Sequence, residues 1–404
     1  MSNDLEGAIA MRFQKKALVI CFILVFFLIS TGLLNVLTVS QQNVSQRIDS
    51  GQKRFDCTKS KESTGYDKET YIVPTPDDSS ITLTRYKGSK SPIIFIHGMG
   101  CNHLIYDWDE GHSLARYLNE RDWDVWLLDL RTHDCDGDFR FAIGSDREYI
   151  DRYWDFDNTL LKIDVVTAVD FVKNKTGIDR LFLSGHSYGG YLAYAYAMLI
   201  GEESLSGIIT TGASPYYTPD TFHPEPFEMI RYGFYIGNKA FVNPIGKPYT
   251  HFSKISCIIN KVLWKPTANP IFYYDTSSEY IQRNIGFTAD DEAAGVYVDI
   301  FFGKDPNKYS GHWVDPQTLY DYSENLDEIT VPILFIAGEE DTQDPSDDIY
   351  RAYQCVSSTE KTFYSFPKHS HLDLLLGDDA DELIFPKITQ WLENRENEMT
   401  ENKN

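Results

Sequence analysis

The amino-acid sequence predicts an α/β fold: a mostly parallel central sheet with helices on both faces and one inserted cap. Three observations carry this expectation. From Ile93 onward, short and wholly apolar runs alternate with helical stretches, the pattern of strands buried on both faces. Several of these runs end directly in turns rich in Gly, His or Asp, and in sheets of this kind ligands bind beyond the carboxyl ends of the strands. Between Thr211 and Ile333 the alternation lapses for about 120 residues, too long for a simple connection.

The elements follow in order. Residues 1–16 form an N-terminal tail carrying Arg12, Lys15 and Lys16. Ala17 to Val39 is uncharged and almost wholly apolar, long enough to cross a hydrocarbon layer of about 30 Å as a helix. It exceeds the roughly 7 to 15 apolar residues of a signal peptide, and Leu37-Thr38-Val39-Ser40 lacks a small-x-small cleavage site. An uncleaved single-pass transmembrane helix is expected. The basic residues before the span, against a first basic residue at Arg47 after it, favour a cytoplasmic N-terminus with the body of the chain outside; counted over about fifteen residues each side, Arg47, Lys53 and Arg54 even the tallies. Residues 40–68 are polar and read as a stalk. A body over 69–396 then forms one domain. It opens with a hairpin, Tyr71 to Val73 against Ile81 to Tyr86, around Pro74-Thr75-Pro76-Asp77-Asp78. Next come strand Ile93 to Ile96, helix Ser113 to Glu120, strand Val125 to Leu130, helix Leu160 to Lys173, strand Leu181 to Leu183, helix Tyr191 to Ile200 and strand Gly207 to Thr211. The cap covers about 213–327. It is dense in aromatics such as Tyr216, Tyr217, Phe222, Phe272 and Phe287, most of which pack its own core while some wall an apolar pocket. Strands Ile333 to Ala337 and Thr362 to Phe366 follow, and the charged end beyond Trp391, with a polar tail at 397–404, is expected to fray.

Composition narrows the function. Sixty acidic residues against 37 basic ones give a net charge of −23, and no basic stripe offers a footprint for nucleic acid. Neither a phosphate-cradling G-x-x-x-x-G-K pattern nor a dinucleotide fingerprint is present, and no cofactor is expected. His133 and Cys135 beside Asp134, Asp136 and Asp138 lack the paired spacings of a zinc site, so no metal is assigned there. Beyond Cys21, inside the apolar span, five cysteines remain, an odd number that forbids complete internal pairing. Cys101 and Cys135 follow strands expected to be neighbours, which suggests a disulfide or two small buried thiols. Asn43-Val44-Ser45 and Asn174-Lys175-Thr176 fit the glycosylation triplet.

The chemistry is concentrated at Gly185-His186-Ser187-Tyr188-Gly189. An apolar strand precedes it and a helix follows, which makes it a G-x-S-x-G nucleophile elbow with Ser187 at its tip. Its glycines answer a close approach of neighbouring backbone. Upstream, Pro92 to Ile96 runs into His97-Gly98-Met99-Gly100, the place for a loop that binds an oxyanion. Downstream, Ile333 to Gly338 ends at Glu339-Glu340-Asp341, and Thr362 to Phe366 ends before His369-Ser370-His371-Leu372-Asp373. The chain order is Ser, acid, His. A serine hydroxyl needs such a base to become nucleophilic, and the base needs a carboxylate to fix its tautomer.

On these motifs, residues 70 to 395 resemble the α/β-hydrolase superfamily. Asp124 to Arg131, Tyr153-Trp154-Asp155-Phe156-Asp157 and His371-Leu372-Asp373 are similar to its acid-lipase and polyester-synthase-like branch. The resemblance implies a triad of Ser187, Asp341 and His371, with His369 as the rival base and Asp344 as the alternative acid. It also implies oxyanion donors at the backbone N–H groups of Met99 and Tyr188, with His97 shaping the loop. Polyester synthases carry Cys where this chain has Ser187, which favours hydrolysis over polymerisation. The implied activity is hydrolysis of hydrophobic or lipid-like carboxylic esters. Acyl transfer or thioester cleavage on the same triad, and a binding protein that has lost catalysis, are the other readings.

Overall fold

The computed structural model describes residues 68–401, apart from 110, 132, 134–155, 218–275 and most of 276–309. The expected transmembrane helix and stalk, Cys135 and its acidic neighbours, and most of the cap with its aromatics from Phe222 to Phe287 lie outside the described residues. Among the described residues no helix is long and apolar enough to cross a membrane.

Eight strands form one sheet: β1 (Lys68–Pro74), β2 (Ser80–Tyr86), β3 (Pro92–Ile96), β4 (Asp124–Asp129), β5 (Leu181–His186), β6 (Leu205–Thr211), β7 (Ile333–Gly338) and β8 (Lys361–Phe366), in the order β1-β2-β4-β3-β5-β6-β7-β8. The first pair is the expected hairpin, with Tyr71 opposite Leu83 and Val73 opposite Ile81, and β2 also runs antiparallel to β4. Every later pairing is parallel. The central strands β3 to β7 are buried along their whole length because both faces are covered. Ile94, Ile96, Trp126 and Leu128 point into one core, while Ile93, Phe95, Val125 and Leu127 point into the other. All eight are at most 1% exposed, each contributing about 1.5–3 kcal/mol through burial.

The helices sit close to their expected places, with instructive shifts. Helix α1 (Leu114–Asn119) starts where Ser113 accepts a hydrogen bond from the Arg116 N–H at 3.1 Å, a side-chain cap. The second helix is already formed at Phe156, ahead of the expected Leu160: a wide π-type segment, Phe156–Val165, leads into α2 (Val166–Thr176). Tertiary partners explain the early start. Phe156 packs edge-on against Trp313 and Tyr188, and Asp157 accepts a hydrogen bond from the Tyr322 hydroxyl. Helix α3 (Tyr188–Ala195) begins directly after Ser187, three residues before the expected Tyr191, and continues as a π-type turn to Ile200. Helix α4 (Ser346–Cys355) covers β7 and β8, while short α5 (Asp373–Leu376) and α6 (Ala380–Leu383) lead into α7 (Phe385–Glu401). The expectation of fraying after Trp391 is corrected here. The helix runs on because Met399 packs against the core and Arg395 pairs with Glu398 at 2.8 Å.

Candidate active site

The elbow is built by sterics. Ser187 has φ 53° and ψ −121°, a conformation L-residues avoid at a cost of order 1–3 kcal/mol. Close packing on both sides enforces it. A Cβ on Gly185 would stand 2.1 Å from the Gly189 carbonyl carbon, and one on Gly189 would stand 2.1 Å from the Ile96 carbonyl oxygen. Both positions must therefore be glycine, as the motif predicted. The Ser187 N–H donates to the Thr211 carbonyl at 2.9 Å, tying the turn to β6. Ser187 itself remains partly exposed between buried neighbours.

The acid and base candidates meet each other. His371 Nδ1 lies 2.7 Å from Asp341 Oδ2, with both side chains at most 5% exposed. The other carboxylate oxygen of Asp341 accepts the N–H groups of Gln343 at 2.8 Å and Asp344 at 3.0 Å. The carboxylate is thus held at both ends, and the ring proton is fixed on Nδ1, leaving Nε2 as the basic lone pair. Gly212, next to the Thr211 that binds Ser187, touches this pair: a Cβ there would stand 3.3 Å from both Asp341 Oδ2 and His371 Nδ1. The His371 ring also packs against that of His186, centroids 4.6 Å apart.

The rival residues have other partners. Asp344 accepts hydrogen bonds from the Tyr191 hydroxyl and from the Ser214 N–H at 3.1 Å. His369 joins the Pro367 carbonyl at 2.9 Å and Asp379 at 3.0 Å. His97 bonds within the loop that follows β3 and to the end of β4. Its Nε2 accepts the Leu130 N–H at 3.3 Å, so Nδ1 carries the proton and donates to the Gly98 carbonyl at 2.8 Å. That carbonyl also accepts the Cys101 N–H at 3.1 Å. With the Gly98 carbonyl turned toward these donors, the trans peptide directs the Met99 N–H the opposite way. Gly98 itself abuts Ser187, its Cβ position lying 3.3 Å from Ser187 Cβ. Tyr188 occupies the first turn of α3, where backbone N–H groups have no intrahelical acceptor.

Two supporting residues had only weak sequence signals. Asp373, read as part of a family motif, is fully buried; one oxygen accepts the Ser370 N–H at 2.8 Å and the other the Ser277 hydroxyl. It fixes the loop that carries His371. Ser277 belongs to a stretch whose sequence gave no hint of this contact, beside Thr276, which binds the Lys368 carbonyl at 2.9 Å. The Thr288 carbonyl meanwhile accepts the Asn102 N–H at 2.8 Å, so the inserted segment touches both the Met99 loop and the His371 loop. Cys135, the suggested partner of Cys101, lies outside the described residues. The His133 ring packs tilted against that of His97, centroids 4.3 Å apart. His312, Asp321 and Glu324 present ligand-type atoms within 4.8 Å of one another. Arg351 faces His312 Nε2 at 3.4 Å while Nδ1 meets Asp321 at 2.9 Å. A guanidinium only donates, so Nε2 accepts, Nδ1–H donates to Asp321, and both ring nitrogens are engaged in hydrogen bonds.

A parallel sheet of this order, with a left-handed serine after β5 and a His–Asp pair after β8 and β7, has the layout of an α/β-hydrolase fold. The chain belongs to the alpha/beta hydrolase family, whose profile it matches over residues 93–384. A probable lipase of Schizosaccharomyces pombe is 20% identical over 366 residues, covering 81% of this chain and 75% of that protein. Human lipase member N is 22% identical over 369 residues, covering 80% and 87%. A poly(3-hydroxyalkanoate) polymerase subunit of Haloarcula marismortui is 22% identical over 354 residues, covering 82% of this chain but 65% of its own length. Among solved structures, an esterase of Exiguobacterium antarcticum superposes with a TM-score of 0.52 at 15% identity, covering 80% of this chain and 98% of its own.

Proposed function

We propose that this protein is a membrane-anchored serine hydrolase that cleaves carboxylic esters of hydrophobic, lipid-like substrates through an acyl-enzyme. The observation that carries the reading is the buried His371–Asp341 pair at 2.7 Å, abutting Gly212 next to the Thr211 that binds the strained, partly exposed Ser187. His371 Nε2 takes the Ser187 proton as its oxygen attacks the ester carbonyl. The resulting oxyanion is stabilised by the Met99 and Tyr188 N–H groups, and fixed donors of this kind contribute about 3–4 kcal/mol each. The imidazolium then protonates the departing alcohol. Water, deprotonated by the same nitrogen, attacks the acyl-enzyme, and the acid leaves as His371 returns its proton to Ser187. Asp341 stabilises the imidazolium in both halves.

Support for a lipid-like substrate comes from the lipases among the relatives, including the human lysosomal acid lipase/cholesteryl ester hydrolase, 27% identical over 146 residues. Serine in place of cysteine at the elbow favours water as the final acceptor. The anchor rests on the uncharged stretch Ala17 to Val39, with the catalytic domain on the outer side. The test is labelling with an alkyl fluorophosphonate and turnover of p-nitrophenyl esters of graded chain length. Wild type should label and hydrolyse, preferring the longer chains, and Ser187→Ala should do neither. Equal labelling of both proteins would remove Ser187 from the mechanism.

A further inference from the structure

The residue before the nucleophile has a task distinct from shaping the turn. His186 closes β5 and its side chain is buried, 1% exposed. Its Nε2 lies 3.0 Å from the main-chain carbonyl of His371. A carbonyl only accepts, so Nε2 carries the proton and donates. Nδ1 is then a bare lone pair with no hydrogen-bond partner among the described residues. It abuts Gly98, whose Cβ position lies 3.2 Å from it, so this nitrogen meets the oxyanion loop through bare backbone. Burial first, and then the neighbouring His371, hold the His186 pKa well below its ordinary 6.5. The ring is therefore neutral, and it packs 4.6 Å from the His371 ring.

Asp341 fixes the far edge of the His371 imidazole, but a ring is presented correctly only if its main chain is also held. We propose that His186 is a positioning residue: its Nε2–H grips the His371 carbonyl so that the base is presented to Ser187, and its uncharged ring spares the imidazolium a like-charged neighbour. The inference rests on the catalytic reading above. It gives the elbow histidine a role in the approach of the base, joining two loops 185 residues apart.

The experiment compares His186→Gln, His186→Leu and His186→Asn in the full chain in detergent micelles. Gln places an amide N–H near the Nε2 position and is never charged. Leu keeps the bulk without a donor, and Asn keeps polarity but is too short to reach. The readout is saturation labelling by an alkyl fluorophosphonate, separated into maximal rate and half-saturation, per folded molecule as counted by thermal unfolding. The expected result is a fall in maximal rate of about 10- to 100-fold for Leu and Asn, the range that misplacement of a reacting group by about 1 Å produces, with half-saturation unchanged. Gln should restore most of the rate. If Leu and Asn label at the wild-type rate per folded molecule, or Gln falls as far as they do, the positioning role is overturned. Ser187→Ala and His371→Ala run alongside. Undiminished labelling in those two would sink the catalytic reading itself, whereas silence in them with a wild-type rate in Leu would sink only the role of His186.

Discussion

Asp341→Asn provides the sharpest test of how the base is held. In the wild type, Asp341 Oδ2 accepts the His371 Nδ1–H at 2.7 Å while the other oxygen accepts two backbone N–H groups, at 2.8 and 3.0 Å. Asparagine can keep those two backbone bonds only by turning its oxygen toward them, which points the NH2 group at His371. A donor then faces a donor, and the imidazole changes tautomer so that Nδ1 accepts. The proton moves to Nε2, the atom that takes the Ser187 proton in the proposed mechanism, and that nitrogen is blocked with little change of shape. Loss of the tautomer in this way costs about 10⁴ in kcat, or about 5 kcal/mol of transition-state stabilisation. Asp344→Asn is the control, because Asp344 serves Tyr191 and Ser214 instead; it should cost about 1 kcal/mol of stability and leave kcat per folded molecule close to wild type. Hydrolysis of p-nitrophenyl butyrate, with thermal unfolding of each variant, measures both effects. If Asp341→Asn keeps a tenth of the activity while Asp344→Asn loses it, the acid has been misassigned.

Two further outcomes follow from the same geometry. Gly189→Ala puts a methyl 2.1 Å from the Ile96 carbonyl oxygen and 2.7 Å from that of His97, and should yield no stably folded protein by circular dichroism; Gly98→Ala, at 3.2 to 3.3 Å from His186 Nδ1 and Ser187 Cβ, should fold and lose rate. His186 binds a proton in the unfolded chain below about pH 6.5 but not in the fold; its contribution to stability is thus present above that pH and declines below it by up to about 1.4 kcal/mol per pH unit. Denaturant titrations from pH 7.5 to 5 should show that slope in the wild type and a shallower one in His186→Gln.

Much of this was legible in the sequence because sterics and two-sided burial write strong patterns. Apolar runs such as Ile93 to Ile96 mark central strands, and the two elbow glycines are dictated by a backbone approach that excludes any side chain. The order Ser187, Asp341, His371 along the chain also identified which strand ends converge. What escaped was decided by partners distant in sequence. Asp341 and Asp344 stand three residues apart on one loop, and only the hydrogen bonds they make separate them. Helix α3 starts before Tyr191 although Gly189 and Gly190 are poor helix formers, because β3 crowds Gly189 and Ala213 crowds Gly190 so closely that neither position has room for a side chain. Phe156 and Asp157 join a helix for the sake of Trp313 and Tyr322, residues more than 150 positions away. Nothing local to Ser277 signals its bond to Asp373.

The bond between His186 and His371 spans nearly half the chain. Closing so long a loop is entropically slow relative to forming local turns, and the histidine loop follows β8, at one edge of the sheet. A chain in which β1 to β6 have paired already owns its alcohol but has no base to activate it. Competence therefore arrives only with the last strands, and recovery of turnover after denaturation should lag behind recovery of helical signal, reporting completion of the fold rather than its onset.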